Sequence, residues 1–314
     1  FLDSTYAQAH ADLADALALA LFYRYRVGES AYAVGARAIR EAGRAIRLQP
    51  SLAEGHTALG YIGMIAGAPV AFVGEHYGHA RQLHPENPNS RLWYVGQLAL
   101  EHRYAQALDT LQEMVRLDPA SPSKRISVAL YSLPLRRYDA VVANAKEAAR
   151  VEPGLPFAAA LQLWGAVLRG GEQVRECTRI AAGPFLGARA ACLERAAGRP
   201  QAQAVVDSLF RLATSPTPAD ARFDPSLVAS EMAMYAALHE EWSSARLWMR
   251  RAFEASPLGM EPRFLRSGLF NDELVRFGDS LRVDAWRRAD AMAREGRSAP
   301  DSGVPRGRRA GHWD

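Results

Sequence analysis

The chain has 314 residues, 49% of them hydrophobic and 23% charged, a balance that belongs to folded globular proteins and excludes a wholly disordered chain. Its formal net charge is +4 and its pI is near 9.2, yet only Lys124 and Lys146 are lysines. The remaining positive charge is arginine scattered among Asp and Glu, which reads as solvated helix surface rather than a nucleic-acid module. No stretch reaches the roughly eighteen uninterrupted apolar residues of a membrane helix, because LADALALALF (13–22) is broken by Asp15.

From the start of the chain the pattern is helical. The opening FLDSTYAQAH has no initiator Met, which raises the expectation of a segment cut from something longer, with any targeting information lost. LDSTYAQAHADLADALAL predicts a first helix, followed by an aromatic insertion, LFYRYRVGESAYA (21–33). A phrase then recurs: IRLQP (46–50), RQLHP (81–85), VRLDP (115–119) and RVEP (150–153). The prolines Pro50, Pro85, Pro119 and Pro153 are separated by 35, 34 and 34 residues. A near-constant period of that size is the mark of stacked supersecondary units, each packing mainly on its neighbours.

Between Pro119 and Pro153 the sequence predicts two helices. Counting each closing proline as position 32, Arg125, Val128, Ala129 and Ser132 share one helical face, as do His56, Leu59, Gly60 and Gly63 one unit earlier. Small residues recur where two helices of a hairpin must cross. Position 8 holds Ala14, Gly60, Ala129 and Ala233; position 20 holds Ala38, Ala107, Val141 and Ala245; position 27 holds Ala45, Ala80, Ala148 and Ala252. Alanine or glycine at a crossing sets a short interaxial distance. The proline ends the unit because it lacks an N–H and disfavours helix at the residue before it.

These offsets resemble the tetratricopeptide repeat (TPR), a 34-residue helix-turn-helix unit. Tyr104, Tyr138 and Trp242 match its large aromatic at position 17, and EMAMYAALHEEWSSARLWMRRAFEASP (231–257) is its best single match here. The resemblance implies an all-α fold: a right-handed α-solenoid of about seven TPR hairpins over 1–257, with degenerate repeats at about 168–216. A C-terminal cap and helix would follow over 258–296, with LFNDELVRF as the capping piece and an amphipathic helix over roughly 280–295. A disordered basic tail over 297–314, including PRGRRAGHWD, would end the chain. A narrower resemblance, in the opening helix, the aromatic insertion and the MEPRF…LFNDELVRF ending, is to TPR regions of bacterial signalling proteins behind a serine/threonine kinase, adenylate-cyclase or winged-helix domain.

In the family the first helices of successive repeats line a concave groove. Carried over, that groove is lined by Asp12 and Asp15 in the first repeat, and by Tyr61 and Met64 in the second. Leu92, Trp93 and Gly96 follow in the third, Ile126 and Leu130 in the fourth and Met234 in the seventh. Asp15, Tyr61, Met64, Leu92, Trp93, Leu130 and Met234 are the expected partner-binding residues. Their apolar character predicts anchoring of a helix or extended peptide. Two other readings stay open: Leu92, Trp93 and Leu130 pack between repeats, or the chain's own aromatic insertion fills the groove.

Catalytic signatures are missing from the sequence. No Gly-rich phosphate loop follows a strand, Gly170-Gly171 included, and no nucleophile elbow or kinase motif occurs. His76, His79 and His84 in EHYGHARQLH form the densest imidazole cluster but lack the ligand number and spacing of a zinc site. His10 and His56 fall at a packing position. Cys177 and Cys192 flank the turn GPFLG (183–187), so they can sit level on antiparallel helices, but two buried free thiols are the simpler expectation. The sequence therefore predicts a regulatory or scaffolding module. It would bind a protein or peptide, its own missing effector domain or a second copy, without cofactor, metal or catalysis. The cytoplasm is the favoured compartment, and the periplasm the alternative if a transmembrane helix precedes the segment. A nucleic-acid-associated regulator acting through arginines and the tail is the alternative function.

Overall fold

In the computed structural model the described residues are 6–23, 28–85, 90–153, 155–171, 174–179, 185–214, 224–259 and 262–295. Every regular element among them is an α-helix. The first half of the chain contains α1 (Ala7–Phe22), α2 (Ala31–Leu48), α3 (Ala53–Ala66), α4 (Val70–Leu83), α5 (Ser90–Leu100), α6 (Tyr104–Leu117), α7 (Pro122–Ser132) and α8 (Tyr138–Val151). The second half contains α9 (Pro156–Arg169), α10 (Val174–Arg179), α11 (Leu186–Ala197), α12 (Arg199–Thr214), α13 (Pro225–Leu238), α14 (Trp242–Ala255), α15 (Pro262–Leu265) and α16 (Asp272–Glu295). Consecutive helices pack on one another through most of the chain, and the short connections make packed neighbours antiparallel.

Local chemistry fixes where helices begin. Ser30 caps α2 by accepting from the Ala33 N–H, and Ser121 caps α7 with Pro122 at its first position. Asp224 caps α13, accepting from the Ser226 and Leu227 N–H groups ahead of Pro225. Each of these side chains satisfies donors that the first helical turn leaves unpaired.

The turns inside the hairpins repeat one hydrogen bond. Ala68 N–H donates to the Gly63 carbonyl at 2.8 Å, Arg103 to Leu98 at 2.8 Å, Arg137 to Ser132 at 3.1 Å and Glu241 to Ala236 at 3.0 Å. This is the backward bond of a Schellman C-cap, which needs a left-handed residue just before the donor. Gly67 supplies it after α3 with φ 88°, while His102, Arg136 and Glu240 take φ 58°, 53° and 57° in the other three turns. The first three acceptors, Gly63, Leu98 and Ser132, keep the spacing of the prolines. Gly67 also meets a second demand: a Cβ there would lie 2.6 Å from the carbonyl oxygen of Arg282 on α16.

The small residues are where the periodicity placed them. Ala14, Ala129, Ala233, Ala38, Ala107, Val141, Ala245, Ala45, Ala80, Ala148 and Ala252 have no exposed surface, and Gly60 is buried with them. Gly60 faces Tyr77 across the α3/α4 crossing, where an added Cβ would sit 2.6 Å from the ring.

Two features depart from the sequence-based expectation. The residues 272–295 form one helix rather than a capping piece followed by a helix from about 280. Asn271 starts it by accepting from the Leu274 N–H, and Gly278 does not break it because its bare face packs against Leu265 and Met249. This helix also does more than cover the last pair: α16 packs on α14 and on the distant α2 and α3. Arg282 donates to the Met64 carbonyl at 3.1 Å, Arg288 sits 4.0 Å over the Tyr32 ring, and the Tyr32 hydroxyl donates to the Phe253 carbonyl. The C-terminal helix is thereby tied to helices near the start of the chain.

The second correction concerns the cysteines. Cys177 on α10 and Cys192 on α11 are joined in a disulfide, with Cα atoms 5.6 Å apart, and both are buried. The short α10 presents Cys177 level with Cys192, so the expectation of free thiols fails. The expected tail over 297–314 and residues 24–27 of the aromatic insertion lie outside the described residues.

Candidate functional site

The first helices of the leading pairs, α1, α3, α5 and α7, converge on a cavity of about 440 Å³. Helical spacing selects what each contributes. Asp12, Asp15 and Leu19 come from one face of α1, and Glu54, Thr57, Tyr61 and Met64 from one face of α3. Leu92, Val95 and Gly96 enter from α5, and Ser123, Lys124, Ser127 and Tyr131 from α7. Tyr77 of α4 and Leu111 of α6 close the floor; both are buried.

Close packing shapes that floor. Gly96 lets α5 approach, since a Cβ there would be 3.0 Å from both Met64 Sδ and the Tyr77 ring. The Tyr77 hydroxyl points at Met64 Sδ, 4.0 Å away, and burial pushes its phenol well above the ordinary range, so the floor stays neutral. Across the cavity, Phe22 packs edge-on against Phe157 of α9 with ring centroids 5.9 Å apart, and Tyr23 packs against Phe22 at 5.1 Å. The described start of the aromatic insertion therefore forms a wall of the cavity.

The charge at the cavity is acidic. Among the described residues lining it, Asp12, Asp15 and Glu54 bring three carboxylates against the ammonium of Lys124, which already contacts Asp118 at 2.7 Å. Partial burial, and then the Asp12 carboxylate, raise the Asp15 carboxyl above its usual range. An apolar floor beneath an acidic rim suits an apolar group flanked by a cation.

Asp15, Tyr61, Met64 and Leu92, four of the seven sequence-predicted groove residues, line this one cavity. Leu130 and Met234 do not: they are buried inside α7 and α13, with 1% and 3% of their surface exposed. The side chain of Trp93 lies outside the described residues. The residues that sequence reasoning missed, Phe22, Tyr23, Glu54 and Tyr131, come from helix ends and from a face one position round from the expected one. The signal for Phe22 and Tyr23 was the aromatic density of residues 21–33.

A second polar centre lies at the junction of α9, α11 and α13. Glu231 is 3% exposed, accepts from Trp164 Nε1 at 3.0 Å and from the Ala188 N–H at 2.7 Å, and ties the three helices together. Burial pushes its carboxyl up to about 7 against these donors, which pull the other way. Its described contacts are structural, linking α9 and α11 to α13. No protein-family model and no curated protein matches this chain.

Proposed function

We propose that the chain is a TPR-type α-solenoid that acts as a protein-interaction module, holding a peptide in the cavity between α1, α3, α5 and α7. The peptide carries an aromatic or aliphatic anchor beside an Arg, Lys or amino terminus. The observation that carries this reading is the pairing of an apolar floor of Tyr77, Met64 and Leu111 with the carboxylates of Asp12, Asp15 and Glu54. The recurring turn bond and the buried small residues at repeat positions support the solenoid. An acidic cavity also opposes the nucleic-acid alternative, since phosphate would meet like charge. Many surface arginines are likewise engaged: Arg103 with Glu101, Arg150 with Glu147, Arg246 with Glu273 and Arg266 with Asp279.

In this reading the chain catalyses no reaction and regulates a domain or partner elsewhere. No helix among the described residues is long and apolar enough to cross a membrane. The Cys177–Cys192 disulfide supports an oxidising compartment over the cytoplasm. Selection from a random-peptide display library tests the function. Enriched sequences are expected to pair a bulky apolar residue with a basic one and to lose binding to Tyr61→Ala and Asp15→Asn proteins that remain folded. Failure to enrich, or enrichment indifferent to both substitutions, would defeat it.

A further inference from the structure

Three histidines come together on the α3/α4 hairpin, outside the cavity. His76 and His79 stand three residues apart on one face of α4. The antiparallel turn at Gly67 brings His56 of α3 level with them, because the two sides lie at similar distances from that turn. One ring nitrogen from each histidine lies within 4.8 Å of the other two. His56 Nδ1 and His76 Nδ1 are 3.2 Å apart, and the His56 and His79 ring centroids are 5.0 Å apart. We propose that His56, His76 and His79 form a binding site for a divalent transition-metal ion of the zinc class.

The geometry suits that ion. Zinc–imidazole bonds of 2.0–2.1 Å in a tetrahedron place neighbouring nitrogens about 3.3 Å apart, close to the separation of the His56 and His76 pair. The nitrogens, all within 4.8 Å of one another, need small ring rotations to converge on one ion, and the exposed position of His79 leaves room for its share. The other two are more restrained. His56 is 8% exposed, and His76 packs edge-on against Phe72 at 4.6 Å, which in turn rests on Trp286 of α16 at 5.1 Å. Two restrained imidazoles and one adjustable one make a partly preorganised site. All-nitrogen coordination favours zinc, nickel or copper over calcium or magnesium.

Three protein ligands leave a fourth position on the solvent side, where water or an exogenous group binds. Glu75, exposed on the same turn of α4, is near enough to act electrostatically on His56 and His76 and adds attraction for a cation. A bound ion pins α3 to α4, the two helices that carry Tyr61, Met64 and Tyr77, and so stiffens one side of the cavity. This site is independent of whether that cavity takes a peptide.

Calorimetric titration of zinc chloride into the chelator-treated full chain, without a histidine tag, tests the proposal. One ion per chain is expected, with zinc also raising the melting temperature. His79→Ala changes an exposed residue and keeps the fold; it should weaken zinc binding by at least about 10- to 100-fold and abolish the thermal shift. His76→Ala should weaken binding similarly, while His84→Ala, outside the cluster, should leave it unchanged. Absence of stoichiometric zinc binding by the wild type, undiminished affinity in His79→Ala, or an equal loss in His84→Ala would overturn the assignment.

Discussion

Raising the pH from about 5 to about 8 should remove stability from the wild-type chain that a Glu231→Gln variant does not lose. The folded-state carboxyl of Glu231 is lifted from 4.5 to about 7, chiefly by burial. Below the unfolded value both states hold the proton and the contribution is fully present. As pH rises toward 7 the unfolded chain ionises first, so the stabilisation falls away and is gone once the folded carboxyl ionises too. Each unit of difference is worth about 1.4 kcal/mol, which makes the loss on the order of 3 kcal/mol. His56, His76 and His102, lowered mainly by burial, act in the opposite direction: their unfolded imidazoles bind protons more readily, so stability rises as pH climbs toward 6.5. The diagnostic is therefore the difference between the two proteins in urea unfolding across the pH range. The Glu231→Gln substitution lowers absolute stability, because the new amide N–H₂ meets the donors of Trp164 or Ala188, yet the variant's curve lacks the carboxylate slope. Parallel curves for the two proteins would refute the reasoning.

Other outcomes follow from the packing. Ala107→Leu, at a helix crossing with no exposed surface, should cost about 1–3 kcal/mol by overpacking, and an unchanged melting temperature would contradict that placement. Gly60→Ala sets a methyl 2.6 Å from Tyr77 and should destabilise by a similar amount, about 1–3 kcal/mol, unless Tyr77→Leu makes room; denaturant unfolding of the single and double variants measures both. Reduction of Cys177–Cys192 opens a loop of sequence separation 15 and should lower stability by about 3 kcal/mol, seen as a shifted urea midpoint in dithiothreitol. Equal midpoints with and without reductant would count against a structural role for the bond.

The repeating helices were legible because they depend on local chemistry. Prolines at a near-constant interval and alanine at crossings such as Ala38, Ala107 and Ala245 recur in the sequence itself, and each is set by one helix or one hairpin. The cavity was legible in part. Tyr61 and Met64 follow from one helix face, but whether a residue on that face ends up open depends on what the rest of the chain lays over it. Leu130 and Met234 are covered by neighbouring helices, and Phe22 becomes a wall only because Phe157, far along the chain, stands opposite. The same limit hid the third histidine, since His56 joins His76 and His79 through a hairpin rather than through sequence spacing. Glu231 had a signal: it is the lone charge in SLVASEMAMYAAL, and a charge inside a helix buried all round must find donors.

The peptide-binding claim is tested most directly by measuring two ligands against the same protein, a selected apolar–basic peptide and a mixed-sequence oligonucleotide, at about 50 mM and 200 mM salt. A cavity with an apolar floor and a few carboxylates predicts saturable peptide binding that weakens less than about tenfold over that range, is lost in Tyr61→Ala, and has no oligonucleotide counterpart. Tight oligonucleotide binding that falls by about 10³ or more with salt, with no peptide binding, would contradict it.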